Sequence, residues 1–344
     1  MTVDEIKKQI QSILGDGLAV IIGCGLSCAE GLPGMSDLAD ALQKGILILR
    51  RGLVDPEWLI ISKRLARGTG LEAALAGVEL PSALFDSIIA VTADLFRKHE
   101  RAVIGDVIEA RRQLRFSKLA KAIIIPTTGL PIITTNYDRL VEIACESNGL
   151  CVDSMFIGSF LGRLDGKASA LSFCRTLTRR QGKLQLTYSP RIRIFKPHGS
   201  LDWYNHQGKA IRASLDLDLP PLIIPPGEMK YRVGYNEPFD AQREFANREI
   251  DRSSRYLIIG YGFNDNHLQT HLDRNLRMGK PCLVVTRELS PSAESLIKEC
   301  PNVRTLTESK TMTDATTYRD VSGWEYQVKG RWWDIGNLSE EVFL

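Results

Sequence analysis

The chain has 344 residues, 44% of them hydrophobic and 25% charged, with a formal net charge of +3. Such proportions are ordinary for a soluble globular protein of one large domain or two modest ones. So small a charge excess speaks against a nucleic-acid footprint or a polybasic membrane anchor. No run of about 18 apolar residues marks a membrane span, and the opening MTVDEIKKQI lacks the apolar stretch of a secretory leader, so a cytoplasmic location is expected.

In chain order, Asp4 to Leu14 has helical spacing. Residues 17–23, GLAVIIG, are short, apolar and bounded by glycines, and predict a central strand. The Gly-rich turn GCGLSCAEGLP (23–33) follows, and Pro33 stands where helices begin, so Asp37 to Leu49 predicts a helix. Residues 52–122 carry helical periodicity without strand alternation and predict a helical insertion rather than a separate domain. Within it, Arg111, Arg112, Arg115, Lys118 and Lys121 read as a solvated basic helix face. PIITT (131–135) predicts a strand, and Tyr137 to Ser147 a helix closed by Asn148-Gly149. Residues 158–190 are polar and basic and give no readable pattern.

RIRIFKPHG (191–199) predicts a strand ending at His198. The proline-bounded segment 220–231 reads as a loop with a short strand, and Glu237 to Arg252 as a helix. RYLIIGYG (255–262) and PCLVVT (281–286) read as strands, followed by helices His267 to Arg277 and Ser290 to Glu299. Beyond Thr305 the pattern dissolves, and WEYQVKGRWWDI (324–335) reads as an edge hairpin or a docking surface. This alternation predicts an α/β fold, a Rossmann-like doubly wound parallel sheet with a helical insertion after the first strand.

Three motifs follow apolar runs directly, and residues at such strand ends stand at the rim of a parallel sheet, where open α/β sheets bind ligands. Gly23, Gly25 and Gly31 allow a tight turn that can approach a pyrophosphate, and Ser27 can add a hydroxyl. Asn136 can hold a ribose hydroxyl or a water, or else cap the helix after it; Asp138 reads as a first-turn acid or an orienting group. His198 has the side chain best suited to a general base at neutral pH. In GYGFND (260–265), Gly260 and Gly262 permit close backbone approach, and Asp265 is a helix cap or a ribose or interface contact. His267 and His271 stand i, i+4 without a third ligand, which argues against a metal. The seven cysteines form no CxxC pair and read as reduced core thiols, so no zinc is expected.

Together these segments resemble the sirtuin superfamily, and within it the bacterial sirtuin-like proteins of anti-phage defence. The sirtuin loop G-A-G-x-S-x-x-x-G-I-P is met by Gly23, Cys24, Gly25, Ser27, Gly31, Leu32 and Pro33; Q-N-x-D by Thr135, Asn136, Tyr137 and Asp138; H-G by His198 and Gly199. TTNYD is the spelling of the defence branch, and GYGFND resembles its G-Y-x-x-x-D segment. The resemblance implies an NAD-binding catalytic domain over residues 1–304, with a variable segment at 158–190 and a C-terminal tail at 305–344. It implies NAD as substrate, with Asn136 and His198 catalytic and Gly23, Cys24, Gly25, Ser27, Gly31, Leu32, Pro33, Thr135, Asp138, Gly260, Tyr261, Gly262, Asn264 and Asp265 around the dinucleotide.

The implied activity is an NAD glycohydrolase that depletes NAD during infection and stays inactive until triggered, as a homo-oligomer with a protein partner in trans such as an ATPase or an Argonaute-type subunit. An NAD- or ADP-ribose-binding sensor or scaffold with little turnover is the alternative. Protein deacylation is a further one. Against it, Gly34-Met35-Ser36 replaces the Phe-Arg pair that follows the loop in deacylating sirtuins, and their four-cysteine zinc module is missing.

Overall fold

The computed structural model describes residues 1–49, 54–123, 125–180, 182–227 and 237–343. Its strands are β1 (Leu18–Ile22), β2 (Leu130–Thr134), β3 (Cys151–Asp153), β4 (Phe156–Ile157), β5 (Leu161–Leu164), β6 (Cys174–Arg180), β7 (Lys183–Tyr188) and β8 (Arg191–Phe195). They continue with β9 (Gly199–His206), β10 (Lys209–Ala213), β11 (Pro221–Ile223), β12 (Arg255–Ile259), β13 (Cys282–Val285), β14 (Val303–Glu308), β15 (Ala315–Arg319) and β16 (Glu325–Lys329). Nine of them form one sheet in the order β16-β15-β14-β13-β12-β1-β2-β8-β3. From β14 to β3 every pairing is parallel; β15 and β16 add an antiparallel hairpin at one edge.

β1 and β13 are apolar at every position because both faces are covered. Leu18, Val20 and Ile22 of β1 join Leu257, Ile259 and Leu283 in one core, while Ala19 and Ile21 join Tyr256, Ile258 and Val284 in the other. The period-2 alternation of side chains across the pleat thus divides each strand between two cores. The fold is the expected doubly wound α/β architecture, with β1 at its centre between β12 and β2.

Between β1 and β2 lie helices Met35–Leu49, Pro56–Ala66, Leu71–Leu75, Ser82–Ile108 and Arg115–Ala122. The first four bury a core of their own, including Leu38, Leu42, Trp58, Ile61, Leu84 and Ile88. The basic run is not a plain solvated face. Arg112 and Arg115 both pair with Glu30, which is 3% exposed, and Lys118 reaches Glu340. A buried carboxylate must be paired, and these arginines are its partners.

Two elements were absent from the sequence reading. A second, antiparallel sheet runs β11-β9-β10-β5-β4. Residues 158–190 hold β5, a helix Gly166–Ser172 and the β6–β7 hairpin. That hairpin leaves Leu177, Leu184 and Leu186 exposed, so the alternation of Lys183 to Tyr188 marks a strand without a buried face. Of the segment 220–231, β11 is the short strand; residues 228–231 lie outside the described residues. Helix Phe239–Arg252 follows close to its expected position. At the C-terminus residue 304 lies within β14, and Trp332 and Ile335 pack into the main core.

Candidate active site

The four sequence motifs meet at the carboxyl ends of β1, β2, β8 and β12. They enclose a cavity of about 200 Å³. Gly23, Cys24, Ser27 and Pro33 line it from the first motif, Thr135, Asn136 and Asp138 from the second, His198 from the third, and Tyr261, Gly262, Asn264 and Asp265 from the fourth. Gly25, Gly31, Leu32 and Gly260 are not on its wall.

Glycine is required here mainly where two loops touch. A Cβ on Gly23 would lie 2.5 Å from the Gly260 carbonyl oxygen, and one on Gly25 2.8 Å from the Gly260 Cα. Gly260 also has φ +56°, the left-handed region that disfavours a side chain. The Gly25 amide donates to the Gly260 carbonyl at 2.9 Å, and the Gly23 amide to Ile259 at 3.0 Å. The close approach that these three glycines make is to each other, and it locks the first and fourth motifs together.

Asn136 is not the cap of the following helix, which begins at Leu140; Asp138 accepts from the Leu140 amide at 3.2 Å instead. The Asn136 side-chain amide donates to the Gly23 carbonyl at 2.9 Å and to the Ser27 hydroxyl at 2.8 Å. With both N–H groups committed, its side-chain carbonyl is the group left to accept from a ligand. The Ser27 hydroxyl donates to the Asp138 carboxylate at 2.6 Å. Burial raises the Asp138 pKa, opposed by nearby Lys196 and by the Ser27 bond. Lys196, 1% exposed, donates to the Asp138 carbonyl and to Glu142 at 2.9 Å. Arg139 ties the same loop to the insertion by pairing with the fully buried Glu100 at 2.6 Å.

His198 stands at the joint between the two sheets. Gly199 has φ +84°, and a Cβ there would lie 2.0 Å from the Leu222 carbonyl oxygen, so the chain can swing from β8 into β9 only through glycine. The His198 Nε2 lies 2.5 Å from Asp265 Oδ2, while Asp265 Oδ1 accepts from the Leu268 amide at 3.2 Å and so caps helix Asn266–Arg277. The cap reading of Asp265 is met, and its other carboxylate oxygen faces His198. Tyr261 is buried beside it, and burial holds its phenol protonated.

Cys24 and Cys28 are exposed, one turn apart on helix Cys24–Ala29, and are not core thiols; Cys145, Cys282 and Cys300 are buried as expected. A bond from Cys28 lowers the Cys24 pKa to about 7 and raises that of Cys28. Met35, Glu72, Phe96, Tyr137 and Pro226 also line the cavity. Tyr137 lay inside a recognised motif, whereas Glu72 and Phe96 come from the insertion and bear no local signal. Among the described residues no group of three or more His, Cys, Asp or Glu side chains is placed to hold a metal. No helix among them is long and apolar enough to cross a membrane.

A Gly loop, an Asn and a His–Asp pair around one cavity at the rim of a parallel sheet define a class of Rossmann-like ligand-binding domain. The model of the SIR2-like domain matches residues 131–305, about half of the chain, from β2 into β14. The chain belongs to the SIR2-like family and so to the sirtuin superfamily.

Solved structures similar to it include Sir2Tm bound to a propionylated peptide, at 14% identity over 88% of this chain and 92% of that one, TM-score 0.41. Others are a Sir2–p53 peptide–NAD+ complex (14%, 97% and 96%, TM-score 0.42) and a Sir2 homolog–NAD complex (13%, 90% and 90%, TM-score 0.35). Comparison with curated proteins returns no match.

Proposed function

We propose that this site binds NAD and cleaves its nicotinamide–ribose bond, giving nicotinamide and ADP-ribose. The observation that carries this reading is the convergence of Asn136 and the His198–Asp265 pair on one cavity beside the Gly loop. The C–N bond breaks with its electron pair going to nicotinamide, which leaves neutral, and water adds at the ribose carbon. The Asn136 carbonyl accepts from a ribose hydroxyl or from that water. His198 takes the proton released as water adds, and Asp265 orients the ring and supports its charged form. Binding energy from the remote part of the dinucleotide positions the reacting end.

In the same reading the chain is the effector of a bacterial anti-phage system that depletes NAD. It acts as a homo-oligomer, held inactive until a partner in trans such as an ATPase or an Argonaute-type subunit releases it. The support for this role is the TTNYD and GYGFND spelling. The test is to incubate the protein with NAD, alone and with co-purified partners, and to follow nicotinamide by chromatography. Release from NAD alone or with a partner is the expected result. Tight binding without release would make the chain a sensor, and release that required an acylated peptide would make it a deacylase.

A further inference from the structure

A second cavity, of about 380 Å³, opens at the same sheet rim. Its wall includes Gly25 and Gly260, whose contact divides it from the first cavity, together with Val285 and Thr286 at the end of β13. The first cavity, at about 200 Å³, is smaller than the roughly 300–1,000 Å³ of a typical small-molecule site. A dinucleotide seated there must continue past the glycine contact.

The outer wall of the second cavity is built by Arg331, Trp333 and Asp334, which follow β16, and by Arg287 after β13. None of the three tail residues lies within the stretch matched by the family model. The segment is anchored on the Gly-loop helix. Arg115 donates to Asp334 at 2.7 Å and also to the Ala29 carbonyl at 2.6 Å. Two guanidinium groups lie near the Trp333 ring, Arg331 at 4.9 Å and Arg287 at 5.9 Å from its centre.

Charge on this wall is one-sided. Arg115 is matched by Glu30 and Asp334, and Arg287 by Glu308 at 2.8 Å. Arg331 forms no ion pair among the described residues. Asp334 is the one carboxylate on the wall, and it is taken, by Arg115 on one oxygen and by the Gly336 and Asn337 amides on the other. At the rim of a dinucleotide-binding sheet a carboxylate normally meets a free ribose diol, and an arginine meets a ribose phosphate. Here the carboxylate is occupied and a guanidinium is held over the cavity by an aromatic ring.

We propose that the second cavity receives the adenylate end of the dinucleotide, and that Arg331 stacked on Trp333 makes the 2′-phosphorylated dinucleotide, NADP, the preferred substrate. This rests on the dinucleotide reading of the first cavity. It is tested by calorimetry with ADP-ribose and ADP-ribose 2′-phosphate, which need no turnover, and by nicotinamide release from NAD and NADP on the same preparation. The phosphorylated ligand is expected to bind roughly 10–100-fold tighter, an advantage that shrinks as salt rises. Arg331→Gln, at an exposed position, should bring the two affinities together, and Trp333→Ala should weaken both.

Equal affinities in the wild type, a preference that survives Arg331→Gln, or no binding of either ligand would each overturn the proposal. Nicotinamide release with no preference between NAD and NADP would overturn it and leave the glycohydrolase reading standing. A preference lost in Arg331→Gln, without release from either dinucleotide even when co-purified partners are added, would support the binding preference and remove the glycohydrolase reading.

Discussion

The two cavities share one sheet rim and differ in almost everything else. The first is lined by short polar side chains of the motif loops, a His–Asp pair and several apolar groups. The second carries three arginines, a tryptophan and one occupied carboxylate. Preorganised polar groups, with the carboxylates of Glu72, Asp138 and Asp265 on the wall, suit a bond-breaking step that develops positive charge on the ribose. Stacked guanidinium groups suit recognition of an anion. The comparison separates reaction from selection along one ligand, with the Gly23–Gly25–Gly260 contact as the partition.

The sharpest way to break that division is in the first cavity. His198→Ala and Asn136→Ala should each lower nicotinamide release by about 10²–10⁴-fold while circular dichroism stays native. Wild-type turnover in either would remove the role given to that residue. Next comes the partition. Gly260→Ala places a Cβ 2.7 Å from the Gly25 Cα at φ +56° and should cost about 2–4 kcal/mol of stability in a urea titration, with both cavities disturbed. An unchanged midpoint would mean that the loops separate freely.

Asp265→Asn removes the anion beside His198 and should slow release by roughly 10–100-fold. In a His198→Ala background the same change should add no further loss, because the pair acts as a unit. Full additivity would show that Asp265 works only as a helix cap.

The smallest effect compares two thiols on one helix, Cys24 on the wall of the first cavity and Cys28 on that of the second. Cys24 ionises near pH 7, so its alkylation by iodoacetamide should rise with pH to about 7 and level off above it. Cys28, with its thiol pushed up, should react only slowly over the same range. Mass spectrometry of the labelled peptide reads both; faster labelling of Cys28 would reverse the assignment.

The residues that spell a local pattern were legible. GLAVIIG, PIITT and RYLIIGYG announce buried strands because both faces of a parallel sheet demand apolar side chains. The glycines were legible as glycines, but their purpose was not: nothing local says that Gly25 must touch Gly260, more than two hundred positions on. Glu72 and Phe96 reached the first cavity without a motif, because the insertion delivers them by its own packing. In the β6–β7 hairpin the alternation of Lys183 to Tyr188 was a legible strand signal, although the strand it forms has no buried face.

Reading along the chain was enough for the strand–helix alternation, the four loops and the chemistry that their side chains can supply. Short-range pattern and residue type suffice for that. It took the folded arrangement to show that Asp265 faces His198, that Asp138 rather than Asn136 accepts from the first amide of the following helix, and that Trp333 from the C-terminal segment reaches the sheet rim. Contacts between residues far apart in the chain depend on how twisted strands and packed helices carry them together in space, and no spacing along the sequence encodes that geometry locally.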